Sequence, residues 1–410
     1  MSQPSVTRTA RIAAEGPAPD ASPAAARQQL VSPAPRDLRL DMFRGIALVM
    51  IFINHVPGTL YESFTNRNFG FSDAAEAFVF MSGMAAGLAY SNGFRQGSLW
   101  RAIARVWARA RQLYFVHITI TMVCLGMFAA AALWFDLPEV MLKNNVSPIY
   151  GQPLSTLIGI PLLTHQLGYL NILPLYTALL LATPLLLMVG VRRPWLLLGL
   201  SIAVWVAAGQ FRLNFPSFPA SGGWFFNPLS WQLLYVIGLL SGVAMKSGKA
   251  FIPYAPSLFG LAAGFVVLVL FWIRIPALGS VGRDGLAWFA DHGAPFYLTW
   301  FDKTFLALPR LLHALALFYV LGHLPIMSAI AAMRVAAPFR QLGRQSLAVF
   351  AAGTVISMFL QVVKTTRQPE PLFDGMILGG GLLVLLALAW ILNATAQLKA
   401  ARPADLPVGQ

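Results

Sequence analysis

A single cysteine, Cys124, among 410 residues leaves no material for a disulfide framework or a cysteine-based metal cluster. Charge is scarce too: 11% of the residues are Asp, Glu, Lys or Arg, against 57% hydrophobic. A soluble chain of this length needs far more polar surface, which excludes that class and points to a polytopic membrane protein. Acids are the scarcer sign, 15 against 29 bases, for a formal charge of +14. In a membrane chain such an excess marks the cytoplasmic loops beside the spans, so no nucleic-acid partner is expected. Residues 1–36 are rich in Ala, Pro and Arg and lack the apolar core of a signal peptide. They read as a disordered cytoplasmic tail. No internal repeat is visible, which disfavours an inverted-repeat transporter.

What the chain does have is long apolar runs. Those of spanning length fall at 42–60, 73–92, 112–135, 167–190, 194–210, 228–245, 256–274, 304–323, 345–363 and 374–395. The expected fold is an all-α polytopic integral membrane protein of about ten transmembrane helices. It occupies 37–396, with a short cytoplasmic tail at 397–410. The apolar stretch 153–164 is too short to span and suits an interfacial or re-entrant piece. With the N-terminus inside, nineteen Lys and Arg fall in inner segments and eight in outer ones, Arg44 and Arg310 lying within spans. That asymmetry predicts both termini in the cytoplasm and an even number of spans. The outward loops, 136–166, 211–227 and 275–303, are the longest and are rich in Trp, Phe, Pro and Asn.

The first apolar run carries Asp41, Arg44, Asn54 and His55. Helical side chains turn by about 100° and rise about 1.5 Å per residue, so Arg44 and His55 differ by roughly 20° and stand about 16 Å apart along the axis. Asp41 lies about 40° to the other side of His55, on the same face. Three ionisable groups thus form one stripe along most of a span, a costly arrangement that points to function. The plainer alternatives are a snorkelling Asp41–Arg44 pair at i, i+3 and an interfacial His55 where Pro57 and Gly58 end the helix.

Arg44, ten intervening residues and His55 resemble the arginine–histidine motif of the transmembrane acyltransferase superfamily. The longer run LDMFRGIALVMIFINHVPG, then FTNRNFGFSDAAEAFVFMSGMAAGLAY, closely resembles the OpgC family, as do HQLGYLNILPLY at 165–176 and FNPLSWQLLYVIG at 226–238. The resemblance covers roughly residues 36–395. It implies a bacterial inner-membrane enzyme that takes succinyl from cytoplasmic succinyl-CoA to hydroxyls of periplasmic osmoregulated glucans. Succinyl-CoA is then a donor substrate, no permanently bound cofactor is expected, and the partners are membrane lipids, acyl-CoA and the glucan acceptor. Self-association is left open.

Acyl transfer to a sugar hydroxyl needs a base, and imidazole suits that task at neutral pH. His55 is the candidate, as general base or as acyl carrier. Asp73 and Glu76, in FSDAAEAF, are available to orient the ring; alternatively they are acids at a solvated helix start, with Ser72 as its cap. Asn54 is a candidate donor to the developing oxyanion. Arg67 and Asn68 are placed to hold the acyl carboxylate or the acceptor, since a guanidinium suits a carboxylate. Arg101, Arg105 and Arg109, at i, i+4 and i+8, make a cationic face suited to CoA phosphates or to lipid headgroups. The RxxR spacing of some relatives is absent there. With Asp41, Arg44 and Arg310 these arginines form the expected donor side. Arg310 and His313 need a cavity or acidic partners, for which Asp41 and Glu76 are candidates.

His165, Gln166, Tyr169 and Asn171 form a polar entry to the fourth span and, with Trp231, the expected acceptor surface. Trp224, Phe226, Trp231, Trp288 and Trp300 suit sugar stacking or an interfacial aromatic belt. Gly83 and Gly87 have helix-packing spacing. His117, His292 and His323 make no recognisable metal set, and no metal is expected. Two other functions fit the same stripe: acetyl or another acyl transfer to a different envelope glycan, and a glycan transporter or flippase without chemistry.

Overall fold

The computed structural model describes residues 37–401. The tail read over 1–36 and the end of the chain from 402 lie outside the described residues. Among the described residues the chain is all-helical, with no strand and 76% helix. Its helices are α1 (Leu38–Asn54), α2 (Ala74–Gln96), α3 (Leu99–Trp134), α4 (Ile172–Gly190), α5 (Pro194–Gln210) and α6 (Pro228–Met245). They continue as α7 (Pro256–Arg274), α8 (Pro276–Asp291), α9 (Leu308–His323), α10 (Pro325–Ala332), α11 (Ala337–Arg344), α12 (Ser346–Thr365) and α13 (Pro371–Ala401). Short unnumbered turns of helix, among them Pro153–Gly159, punctuate the loops. Proline opens α5, α6, α7, α8, α10 and α13, where its missing N–H costs nothing and its fixed φ starts the helix.

Six helices, α3, α4, α6, α7, α12 and α13, are long and apolar enough to cross a membrane, or seven if α9 and α10, bent by 72°, form one broken span. Each of the ten runs read from the sequence contains a helix, but the first stops at Asn54 rather than 60, α4 and α9 start at Ile172 and Leu308 rather than 167 and 304, α1 and α5 have 17 residues each, and α2 is diluted by polar residues. A count of ten therefore goes beyond what length and composition support. Three boundaries also differ from expectation. α3 begins at Leu99, so the arginine-bearing stretch is one continuous helix with the span behind it. α13 runs to Ala401, past the expected tail boundary, and the loop 275–303 contains the helix α8. Leu133, Trp134, Leu261, Leu383 and Trp390 are exposed on the outside of the bundle, the mark of a multi-pass membrane protein.

Glycines decide where helices approach most closely. Gly83 and Gly87 of α2 lie against the carbonyls of Tyr235 and Leu239 of α6, and Gly238 and Gly242 of α6 lie against those of Phe80 and Met84 of α2. A Cβ at any of the four would collide with backbone. The packing expected of Gly83 and Gly87 is therefore reciprocal. α1 and α11 repeat the device: Gly45 meets the Phe339 carbonyl and Gly343 meets that of Asp41. α1 is thus wedged between α11, α12 and α2, and its position relative to α2 and α12 sets the site.

Candidate active site

His55 lies in the turn that ends α1. Its N–H still bonds to Ile51 O at 2.9 Å, and Gly58, at φ +80°, takes the left-handed conformation that lets the chain leave the helix. The imidazole lines a cavity of about 900 Å³. The Tyr169 ring packs on it with centroids 4.9 Å apart, and neither ring nitrogen is hydrogen-bonded to a described residue. Asn54, beside it on the cavity wall, accepts a 2.8 Å hydrogen bond from Thr65.

Asp73 and Glu76 stand at the start of α2, and they do two jobs at once. Asp73 is the N-cap, accepting from Ala75 N at 2.8 Å, while Glu76 accepts from Asp73 N at 2.9 Å, a capping box. Ser72 is not the expected cap; its hydroxyl lies 2.7 Å from His313 Nδ1. Arg310 donates through Nε and Nη2 to Glu76 Oε1 (2.9 and 2.6 Å) and through Nη2 to Asp73 Oδ2 (3.3 Å), and Lys303 pairs with the same Asp73 oxygen. The partners of Arg310 are thus Glu76, as one expectation has it, and Asp73, and not Asp41. Glu76 is fully buried, and these bonds satisfy its carboxyl oxygens there. Neither carboxylate reaches the His55 ring: the expected carboxylate–imidazole bond is absent among the described residues because the cap and the cations already occupy these oxygens.

Further along α1 a second cavity, of about 140 Å³, is lined by Arg44, Ser82, Tyr90, Arg109, Tyr176 and Ser346, among others. Arg44 donates to Met81 O at 2.9 Å. Arg109 is the one member of the arginine face that reaches this cavity; Arg101 and Arg105 are exposed and do not line it. Asp41 lines neither cavity. It is buried and pairs with Arg344 of α11 at 3.5 Å, so it serves the α1–α11 contact. Arg310, expected on the donor side with Arg44, belongs instead to the cavity of His55.

Phe350, in the second turn of α12, lines both cavities. The neighbours divide around it: Ala74, Ala75 and Ile172 face the larger cavity, Phe78 and Leu173 the smaller.

Of the residues expected to meet an acceptor, Arg67, Gln166, Tyr169 and Asn171 line the larger cavity. Arg67, half-exposed at its rim, pairs with Glu62 at 3.2 Å. Asn171 donates to Gln166 Oε1 at 3.1 Å. Asn68, His165 and Trp231 do not line it. Asn68 donates to Glu62 O at 2.6 Å and so shapes the loop that carries Arg67. His165 is buried behind the wall, where desolvation lowers its pKa. Trp231 is fully buried and donates to Lys303 O at 2.9 Å, holding the loop of that lysine. Phe226 lines the cavity; Trp224, Trp288 and Trp300 do not.

Sequence reading misses Lys303, Asn145, Phe225 and Phe350 among the lining residues. Lys303 carries a signal, a base on the side where bases are few, within an aromatic-rich loop. The others carry no short-range pattern.

No curated protein matches the chain. A family model described as OpgC protein matches residues 36–397, from just ahead of α1 to near the end of α13. That match takes in nearly the whole chain and every residue of both cavities, and the chain belongs to the OpgC family.

Proposed function

We propose that this protein is a transmembrane O-acyltransferase of the bacterial inner membrane, moving succinyl from cytoplasmic succinyl-CoA to hydroxyls of periplasmic osmoregulated glucans. Membership of the OpgC family supports the class, a glucan-modifying acyltransferase. The observation that carries the reading is the pair of cavities along α1, one with Arg44 and Arg109, the other with His55, meeting at Phe350. His55 lines its cavity without a hydrogen bond to a described residue, which leaves its imidazole available as the base that acyl transfer requires. Counting α1, α2, α5 and the α9–α10 pair with the six long helices brings the spans to ten, with both termini inside. The excess of Lys and Arg in the inner segments supports that orientation and sets the Arg44 end toward the cytoplasm.

On this reading the donor phosphates meet the basic face of α3, and the acyl-bearing arm extends past Arg44 toward His55. A glucan hydroxyl enters at the Arg67 rim. Its oxygen attacks the thioester carbon as His55 accepts its proton; the C–O bond forms, the C–S bond breaks, and the leaving thiolate recovers the proton. Asn54 is placed to donate to the oxyanion between those steps. If His55 instead takes the acyl group first, acid quenching and mass spectrometry trap an acyl-histidine. Arg67, half-exposed at the rim, is the guanidinium offered to an anionic acyl group.

The test is purified protein in liposomes, with labelled succinyl-CoA on the Arg44 side and glucan on the other. Label covalently on glucan supports the enzyme. Unmodified glucan crossing the bilayer supports a flippase, and label transferred only from acetyl-CoA changes the cargo.

A further inference from the structure

The two cavities are separated by little. Phe350 is buried, and its ring packs on Phe78 with centroids 5.6 Å apart and planes inclined by 34°. Phe78 lines the smaller cavity, one helical turn along α2 from Ala74 and Ala75, which line the larger. On α4 the change of side takes a single residue, from Ile172 to Leu173. Phe350 faces both cavities, so at that point one side chain separates them, flanked by the apolar Phe78, Ile172 and Leu173. On either side the mixed linings carry polar groups: His55, Asp73, Lys303 and Arg310 on one, Arg44, Ser82, Tyr90 and Arg109 on the other. The larger cavity has Arg67 and Phe225 exposed at its rim, and the smaller has Ala89. Each therefore opens to the surface of the bundle, and an apolar constriction between two such openings gates by excluding water.

We propose that Phe350 is the barrier and the size selector of the passage between the two cavities. It rests on the acyltransferase reading only for what passes; the seal itself does not depend on it. With no donor in place, Phe350 and Phe78 keep the water of the His55 cavity from running continuously to the Arg44 side, which in a membrane would be a leak. An acyl arm passing from Arg44 toward His55 displaces the Phe350 ring, and the width that displacement opens limits the acyl groups admitted.

The passage can be read without any acyl transfer, because the chain has one cysteine, Cys124, and it is buried. In full-length protein in sealed membranes, carrying Cys124→Ser and Ser82→Cys, a charged impermeant thiol reagent is applied from the His55 side. Ser82 lines the smaller cavity. With Phe350 present the thiol is protected. With Phe350→Ala it is labelled about tenfold faster or more, the effect of lowering a barrier by roughly 1.4 kcal/mol. Phe350→Leu, which stays apolar and spares the fold, gives an intermediate rate. Equal labelling rates in all three proteins overturn the barrier. Transfer assays with a series of longer dicarboxylic acyl-CoA donors read the selector: Phe350→Ala extends the accepted length, and an unchanged limit overturns that half. Absent transfer with Phe350-dependent labelling would reject the acyltransferase and keep the barrier, so the two failures are distinct.

Discussion

Gln361 donates a 2.6 Å hydrogen bond to the backbone carbonyl of His55 from 306 positions away in the chain. Its own carbonyl accepts from Asn144 at 2.8 Å, and the Asn144 backbone carbonyl in turn accepts from Gly168 N at 2.8 Å. The next residue is Tyr169, whose ring packs on His55. One amide of α12 therefore ties the end of α1 to the loop that supplies its ring neighbour. This makes Gln361 a positioning residue, acting through His55.

Gln361→Glu keeps the acceptor for Asn144 and loses the donor to His55 O. A lost hydrogen bond to a buried carbonyl is worth about 1 kcal/mol, or roughly fivefold. The expected outcome is a fall in kcat of that order with KM for succinyl-CoA little changed, measured by steady-state kinetics in liposomes. A purely structural role would lower protein yield and leave kcat per folded molecule intact.

Arg310 is the cation paired with Glu76 in its fully buried position. Arg310→Ala leaves that carboxylate unpaired, a loss of about 3–5 kcal/mol for a buried pair broken on one side. Thermal unfolding in detergent should show a large drop in Tm, and adding Glu76→Gln should recover part of it. Recovery is the informative half, since it separates an orphaned charge from lost packing.

Arg67 stands at the rim, half-exposed and paired with Glu62. Arg67→Ala should reduce the preference for succinyl-CoA over acetyl-CoA by about tenfold, the lower range of a charged hydrogen bond. Competition between the two labelled donors measures it. An unchanged ratio would assign the acyl carboxylate to Lys303 or Arg310.

The α2–α6 crossing leaves no room for a side chain. Gly83→Ala places a methyl group on the Tyr235 carbonyl, and overpacking of this kind costs about 1–3 kcal/mol. Because α2 carries Asp73 and Glu76, the variant should lose both stability and activity, seen as a lower Tm together with lower specific transfer. Gly126→Ala, where nothing lies within reach of the added methyl, is the control and should behave as the parent protein.

Much of this organisation is legible in the amino-acid sequence itself. Hydrophobic run length locates the helices, and helical periodicity places Arg44 and His55 on one face, where the two cavities lie. The Gly83–Gly87 spacing marks the α2–α6 crossing. Relationships made by chain segments far apart leave no such trace. Lys303 reaches Asp73 across 230 positions, and Gln361 reaches His55 across 306. Spacing also misassigns residues whose face is right and whose neighbour is not: Asp41 lies on the expected stripe, but α11 covers it and Arg344 neutralises it. Charge alone groups Arg310 with the donor arginines, whereas the bundle delivers it to Glu76. The amphipathic helix α8 escapes notice because Gly and Pro within 275–303 read as loop.

The central claim is that His55 performs acyl transfer to glucan. Its most direct test is mass spectrometry of envelope glucans from a deletion strain complemented with the parent protein or with His55→Ala, each checked for equal membrane abundance. The account predicts a succinyl mass increment with the parent and none with His55→Ala. A succinylated glucan at parental level in the variant would contradict it.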